Sequence, residues 1–138
     1  MYRNWDCGAT VVETLEILYG RTLSSQEFFK ASVLGWCVEL LQAYLFVTDD
    51  MMNHPLIRRG EACWYRIPQI GSTSTGDSFM LEAALYHLLK LHFRTESCYV
   101  YILELFLETT FRTAIGKHID LLMAQANELD LDKFSLKT

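Results

Sequence analysis

The sequence lacks the features that mark several common classes of protein. No apolar run reaches the length of a membrane span, because charged or polar residues interrupt every candidate segment. The chain has 12 Lys and Arg residues against 17 Asp and Glu residues, a net charge of −5, and no basic cluster beyond residues 58 and 59. This balance argues against a general role in nucleic-acid binding, which requires a basic face.

Cysteine motifs are also absent. The four cysteines are far apart in the sequence, none forms a C-x-x-C pair, and no secretory signal accompanies them. Buried, reduced thiols in a cytoplasmic protein are therefore expected, rather than disulfides or a zinc site. These cysteines are Cys7, Cys37, Cys63 and Cys98.

The chain further lacks strand-like alternation, internal repeats and low-complexity linkers, and its periodicity is that of helices. Its length of 138 residues and its 51% hydrophobic content are ample for one core. Ser24 with Glu27 forms a capping-box sequence, and the dense apolar residues from Val33 to Val47 predict burial inside a bundle. The sequence predicts helices over 9–19, 24–52, 79–94 and 97–124, the first ended by Gly20, with loops at 55–60 and 68–76.

The stretch from Asp49 to Asn53 places clustered carboxylates at the end of the long apolar helix. If the helix continues, residues 49 and 53 lie one turn apart on one face with Asp50 beside them, so their oxygen atoms can meet one hard cation. Arg58 and Arg59 follow within a few residues, and their planar, permanently charged guanidinium groups suit phosphate oxygens. The alternative is an acidic helix end followed by two solvated basic residues.

Residues on both sides of this motif resemble the first aspartate-rich region of eukaryotic farnesyl diphosphate synthases. The resemblance continues in the same order along nearly the whole chain. It is carried by segments 10–14, 33–43, 49–53, 58–66, 81–86, 102–107 and 115–122.

The resemblance implies an all-α trans-prenyltransferase that ionises an allylic diphosphate and joins it to isopentenyl diphosphate. The implied fold is part of an isoprenoid synthase helical bundle around a deep apolar cavity, and the complete enzyme is implied to be a homodimer. Asp49 and Asp50, with Asn53, are implied ligands of Mg²⁺, and Arg58 and Arg59 are implied to bind the diphosphate. Gln42 is implied to lie near the isopentenyl diphosphate.

The same resemblance implies a floor for the product pocket. Tyr44 and Leu45 lie one helical turn before Asp49, where the resembled enzymes use bulky residues to limit product length. Leu45 is smaller than the phenylalanine usual there, which leaves a longer product open. The alternative is that both are ordinary core residues.

Several positions depart from the family pattern. Asn53 replaces an aspartate, so metal binding is expected to weaken. Asn4 and Cys7 stand where a lysine and an arginine normally contact isopentenyl diphosphate. Lys117 replaces a glutamine one turn before Asp120, and it either contacts diphosphate or is solvated.

The chain is expected to be the N-terminal and central part, residues 1–138, of one isoprenoid synthase domain. The family's catalytic domain is roughly twice as long, and its second aspartate-rich motif has no counterpart here. Three hypotheses remain: a farnesyl diphosphate synthase in truncated form, a terpene synthase derived from that family, and a non-catalytic fragment that retains a helical pairing surface. Loss of positive charge at Asn4 and Cys7 favours the second hypothesis, and truncation favours the third.

Overall fold

The computed structural model describes residues 6–134, with side chains described over 7–126. The described part of the chain is dominated by helices, as predicted. These are α1 (Asp6–Tyr19), α2 (Ser25–Asn53), α3 (Ser74–Phe93) and α4 (Tyr99–Phe134), with two short 3₁₀ turns at Trp64–Arg66 and Gly71–Thr73. Asn4 lies outside the described residues.

The described residues divide into two compact units, one up to residue 100 and one from residue 101 onward. In the first unit α2 packs against both α1 and α3. Between Ala31 and Asp50 every residue of α2 except Trp36 is buried or half-buried, which agrees with the predicted central position of this helix. The buried apolar residues of the unit come from α2, α3 and the segment between them: Ala31, Val33, Cys37, Leu41, Cys63, Leu85, Leu89 and Phe93. The second unit consists of α4 from Tyr101 onward.

The capping box predicted from Ser24 and Glu27 is confirmed at the start of α2. The backbone N–H of Glu27 donates to Ser24 Oγ at 3.3 Å, and Glu27 Oε2 accepts from the backbone N–H of Ser24 at 2.8 Å. Arg21 adds a two-pronged ion pair to the same carboxylate. These bonds satisfy N–H groups that have no partner within the helix, and they fix where α2 begins.

Ser24→Ala is expected to lower the free energy of unfolding by about 1 kcal/mol, because it removes the cap acceptor for Glu27 N–H. Chemical denaturation followed by circular dichroism measures this change. Ser25→Ala, one residue further along, is the matched control. Equal stability of the two variants would contradict the role of the cap.

Close backbone contact joins α1 to α2. A Cβ atom at Gly35 would lie 2.5 Å from the carbonyl oxygen of Gly8, so only glycine fits at this crossing. Next to it, Glu39 Oε1 accepts from the backbone N–H of Gly8 at 2.7 Å. Glu39 therefore caps the first turn of α1 from the neighbouring helix.

Several sequence predictions are corrected by the structure. α3 begins at Ser74, five residues earlier than predicted. A two-stranded antiparallel hairpin, β1 (Ile57–Arg58) and β2 (Glu61–Ala62), replaces the predicted loop. Two of the four cysteines, Cys7 and Cys98, are exposed, although buried thiols were expected.

The expectation that no segment reaches the length of a membrane span is wrong by length and composition. α2 contains an 18-residue window that passes both criteria. Between Ala31 and Thr48 its only charged residue is Glu39, and one charge does not interrupt the run. The same criteria are met by core helices of water-soluble bundles, and α2 has neighbouring helices on two sides.

Candidate functional site

Asp49 and Asp50 lie in the last turn of α2, which ends at Asn53. His54 then adopts a left-handed conformation with φ of 53°, and its N–H donates to the carbonyl of Asp50 at 3.0 Å. This C-cap turns the chain back so that the following hairpin lies over the end of the helix. The Asp50 residue is 3% exposed, whereas the Asp49 side chain is 18% exposed.

The hairpin carries the two arginines. Pairing joins Ile57 to Ala62 and Arg58 to Glu61, so Arg59 and Gly60 form the two-residue turn. Both turn residues have positive φ, 53° for Arg59 and 84° for Gly60, as a type I′ turn requires. Gly60 adopts this conformation freely, but Arg59 does so at a cost of about 1–2 kcal/mol.

Arg58 bridges the two carboxylates. Its Nε donates to Asp50 Oδ1 at 2.7 Å, and its Nη2 donates to Asp49 Oδ2 at 3.0 Å. The hydrogen bond with Asp50 and the charges of both aspartates raise the pKa of the Arg58 guanidinium above its usual value. The sequence predicted that these residues act together, but it assigned Arg58 to a diphosphate rather than to the aspartates.

Phe46, one turn before Asp50 on α2, supports both arginines. Its ring centre lies 4.6 Å from the guanidinium carbon of Arg58 and 5.1 Å from that of Arg59. These distances are within the range of cation–π attraction. Phe46 was missed in the sequence, although its place on the helix between the predicted pocket floor and Asp50 was a usable signal.

Asn53 lies beside Asp49, as its spacing predicted. Its Nδ2 donates to Asp49 Oδ1 at 2.8 Å, so in this arrangement it orients a carboxylate. The amide oxygen would face a metal ion only after rotation of the amide group. The observed contact of Asn53 is therefore a positioning one, and its role as a metal ligand stays a prediction.

The oxygen donors at this site suit a magnesium ion. Among the residues that the structure describes, no group of three or more His, Cys, Asp and Glu side chains could hold a metal. Magnesium, however, is commonly held by only one or two carboxylates together with substrate phosphates and water, and Asp49 and Asp50 are joined through one guanidinium. The residues present therefore fit such an ion, and the two carboxylates would hold it.

Cys63 lies buried at the base of the hairpin segment. It is 1% exposed, and its backbone N–H donates to the carbonyl of Leu56 at 3.4 Å. Burial raises the pKa of the Cys63 thiol, and the neighbouring Asp50 carboxylate raises it further. The thiol is therefore kept protonated beside Asp50.

Gln42 and Cys7 are brought together by the packing of α1 on α2. Gln42 Nε2 donates to Cys7 Sγ at 3.7 Å. Both residues were predicted near an isopentenyl diphosphate, and the structure places them side by side. The charged residue one turn away on α2 is Glu39, which is negative and would repel a diphosphate.

The two predicted pocket-floor residues lie in α2 and are half-buried. Burial raises the pKa of the Tyr44 phenol, with further contributions from Glu82 and Tyr86 on α3. Tyr44 therefore lies near these two residues of α3. The carbonyl groups of Tyr44 and Leu45 both accept from Thr48 Oγ1, at 2.9 and 3.0 Å.

A surface cavity of about 250 Å³ lies between α1 and α2 and is lined by Gly8, Ala9, Val12, Ser32, Gly35, Trp36 and Glu39. Neither Tyr44 nor Leu45 lines it, so this cavity is not the predicted product pocket. The remaining predicted site residues, half-buried Lys117 and exposed Asp120, belong to α4 in the second unit.

Comparison with known proteins gives one consistent result. Residues 8–138 match the family model described as polyprenyl synthetase. The chain is 55% identical over 129 residues to the farnesyl pyrophosphate synthase of Ganoderma lucidum, and 51% identical over 133 residues to that of Saccharomyces cerevisiae. It is also 43% identical over 129 residues to farnesyl pyrophosphate synthase 1 of Cannabis sativa.

Each of these matches covers 94% of this chain but only 36 to 38% of the relative. The chain therefore spans little more than a third of the length of the curated relatives it matches.

Proposed function

The chain belongs to the polyprenyl synthetase family, and from this membership we propose that it carries the diphosphate-ionising part of a farnesyl-diphosphate-forming trans-prenyltransferase. The observation that carries the proposal is the grouping of Asp49, Asp50 and Arg58 at the end of α2. The proposed substrates are an allylic diphosphate and isopentenyl diphosphate. The proposal places the chain in the N-terminal and central part of one isoprenoid synthase domain, in a cytoplasmic, homodimeric parent.

Asp49 and Asp50 are the proposed ligands of Mg²⁺. When bound, the ion neutralises negative charge on the diphosphate as the allylic carbon–oxygen bond breaks. Asn53 orients Asp49, and the buried position of Asp50 keeps its carboxylate away from bulk water. Weak shielding by solvent strengthens the attraction between these carboxylates and a cation.

Arg58 has two proposed binding partners, the aspartate pair and the diphosphate, and its donors cannot serve both fully at the same time. Without metal it balances the charges of Asp49 and Asp50, since its Nε and Nη2 atoms both donate to them. Once a cation balances the carboxylates, the same donors become available to diphosphate oxygens. Arg59 at the hairpin tip is proposed as the second contact, and its strained backbone supports a functional role.

Arg58→Lys is expected to weaken binding of an allylic diphosphate about tenfold, because lysine keeps the charge but lacks the planar two-pronged donor set. Calorimetric titration of geranyl diphosphate in the presence of Mg²⁺ measures the dissociation constant. Arg112→Lys is the matched control, since Arg112 is an exposed arginine on α4 paired with Glu108. If Arg58→Lys leaves the dissociation constant unaltered, Arg58 is only a structural partner of the aspartates.

A terpene synthase is the second candidate function, favoured by the surroundings of Gln42. Its described hydrogen-bond partner is the Cys7 thiol, and Glu39 lies one turn away. Neither group supplies the positive charge that a second diphosphate requires. The resemblance places Asn4 and Cys7 where a lysine and an arginine would contact isopentenyl diphosphate. Losing these two charge-assisted contacts, each worth about 1.5 to 3 kcal/mol, would weaken its binding by roughly a hundredfold or more.

A product assay tests the proposal and separates the two candidates. A full-length parent that contains this chain is given Mg²⁺ and geranyl diphosphate, with and without labelled isopentenyl diphosphate, and volatile and phosphorylated products are analysed. Label in farnesyl diphosphate supports the prenyltransferase, whereas hydrocarbons or alcohols without label support the terpene synthase. Recovery of unreacted geranyl diphosphate, with no binding to the protein, would contradict both and leave the non-catalytic fragment.

A further inference from the structure

The first turn of α3 contacts the end of α2 that carries the aspartates. Ser74 Oγ donates to the sulfur of Met51 at 3.2 Å, and Thr75 Oγ1 lies 3.6 Å from the same sulfur. Met51 directly follows Asp50, and Ser74 is 1% exposed. The end of α2 that carries the aspartates therefore packs against the first turn of α3.

The same turn of α3 also holds the segment that carries the arginines. Trp64 follows the hairpin, and its indole Nε1 donates to Asp77 Oδ2 at 2.8 Å. This length is typical of a hydrogen bond to a carboxylate, which is stronger than one between neutral groups. Thus Met51 on one side and Trp64 on the other meet residues of one helical turn, 74–77.

The other hydrogen bonds described near the hairpin serve different purposes. Tyr65 Oη donates to the carbonyl of Pro55 at 2.6 Å, and Cys63 N–H donates to that of Leu56, so both close segment 55–66 on itself. Arg58 joins the segment to α2 by hydrogen bonds, but these go to the carboxylates assigned to the metal, and its other contact with α2 is the weaker cation–π attraction to Phe46. When Arg58 turns from these carboxylates to a diphosphate, the Trp64–Asp77 bond still attaches the segment to a helix.

We propose that Asp77 is a positioning residue for the diphosphate site. Through Trp64 it holds segment 55–66, and with it Arg58 and Arg59, at a fixed place relative to Asp49 and Asp50. The inference rests on the proposed function, because it assumes that the two arginines bind diphosphate. Asp77 itself touches neither metal nor substrate.

Two measurements on the 138-residue chain test this role in Asp77→Ala. Hydrogen exchange reports the mobility of backbone amides in residues 57–66, and calorimetry reports binding of inorganic diphosphate with Mg²⁺. Losing the hydrogen bond is expected to speed exchange in this segment about tenfold and to weaken diphosphate binding by a factor of roughly three to ten. Trp64→Phe removes the donor instead of the acceptor, and it should shift both measurements in the same direction.

Asp77→Asn separates positioning from the charge of the residue. An asparagine oxygen still accepts from the indole N–H, so exchange and affinity should stay near those of the unaltered chain. A role limited to placing a negative charge at the helix N-terminus would make Asn behave like Ala. Glu108→Ala, at an exposed carboxylate on α4, is the control for general effects.

The inference is overturned if Asp77→Ala leaves exchange in residues 57–66 unchanged, or if Asp77→Asn behaves like Asp77→Ala. If Asp77→Ala does not fold, Trp64→Phe decides in the same way. If the unaltered chain binds diphosphate and Asp77→Ala binds it equally well, this inference is rejected but the proposed function is not. An unaltered chain that binds no diphosphate in Mg²⁺ rejects the proposed function, and the positioning role with it.

Discussion

Replacing Asp49 with lysine is expected to abolish magnesium-dependent binding of an allylic diphosphate. The change removes one of two carboxylates, and it brings a positive charge next to Arg58, whose Nη2 lies 3.0 Å from Asp49 Oδ2 in the unaltered chain. It also removes the acceptor of Asn53. Changes in residues that only support metal ligands already cost 10- to 100-fold in affinity, so loss of a ligand should cost at least about a hundredfold.

Titration of geranyl diphosphate at several Mg²⁺ concentrations measures this effect. Glu108→Lys is the matched control, because it makes the same charge reversal at an exposed carboxylate that also pairs with an arginine. Unchanged affinity in Asp49→Lys would show that the aspartates are only an acidic helix end. Circular dichroism of both variants checks that α-helix content is preserved.

Gly35→Ala is expected to lower the free energy of unfolding by about 1–3 kcal/mol, the usual cost of overpacking. The new Cβ would lie 2.5 Å from the carbonyl oxygen of Gly8 and 3.1 Å from its carbonyl carbon. Both are backbone atoms of a helix, so α1 and α2 must move apart. That movement would also disturb the bond between Glu39 and Gly8 N–H and the contact of Gln42 with Cys7.

Urea denaturation of Gly35→Ala and Gly76→Ala separates crowding from helix propensity. Gly76 also lies in a helix, but a Cβ there would meet no atom within 4 Å. Gly76→Ala is therefore expected to raise stability by about 0.5–1 kcal/mol, since alanine favours helix. A gain of the same size in Gly35→Ala would contradict the close crossing of α1 and α2.

The helices could be predicted from the sequence because their signals are local. Ser24 and Glu27 are three residues apart, and the structure confirms the capping box that they form. The spacing of Asp49 and Asn53 likewise predicted side chains that meet across one turn, and they do at 2.8 Å. Signals of this kind depend on residues within about one turn of each other, so contacts between distant parts of the chain do not alter them.

The hairpin could not be predicted, because each strand has only two residues and shows no alternation. Its turn requires positive φ at Arg59, a conformation that arginine does not favour. The surrounding bonds of Arg58 to the aspartates and of Trp64 to Asp77 stabilise it. These partners are 8 and 13 residues apart in sequence, and only the fold brings them together.

Residue type also predicted burial only in part. Cys37 and Cys63 are buried as expected, but Cys7 near the start of α1 and Cys98 before α4 are exposed. A cysteine's residue type favours the interior, whereas its actual exposure depends on which face of a helix or loop meets a neighbour. The apolar length of α2 was misjudged for a related reason, since a single charged residue does not interrupt its 18-residue apolar window.

The central claim is that the end of α2 and the hairpin bind diphosphate through magnesium, and its most direct test is calorimetric titration of inorganic diphosphate into the unaltered chain. With Mg²⁺ present we expect saturable binding at one site, and with the metal removed by EDTA we expect that binding to disappear. No binding in Mg²⁺, or equal binding in EDTA, would contradict the claim.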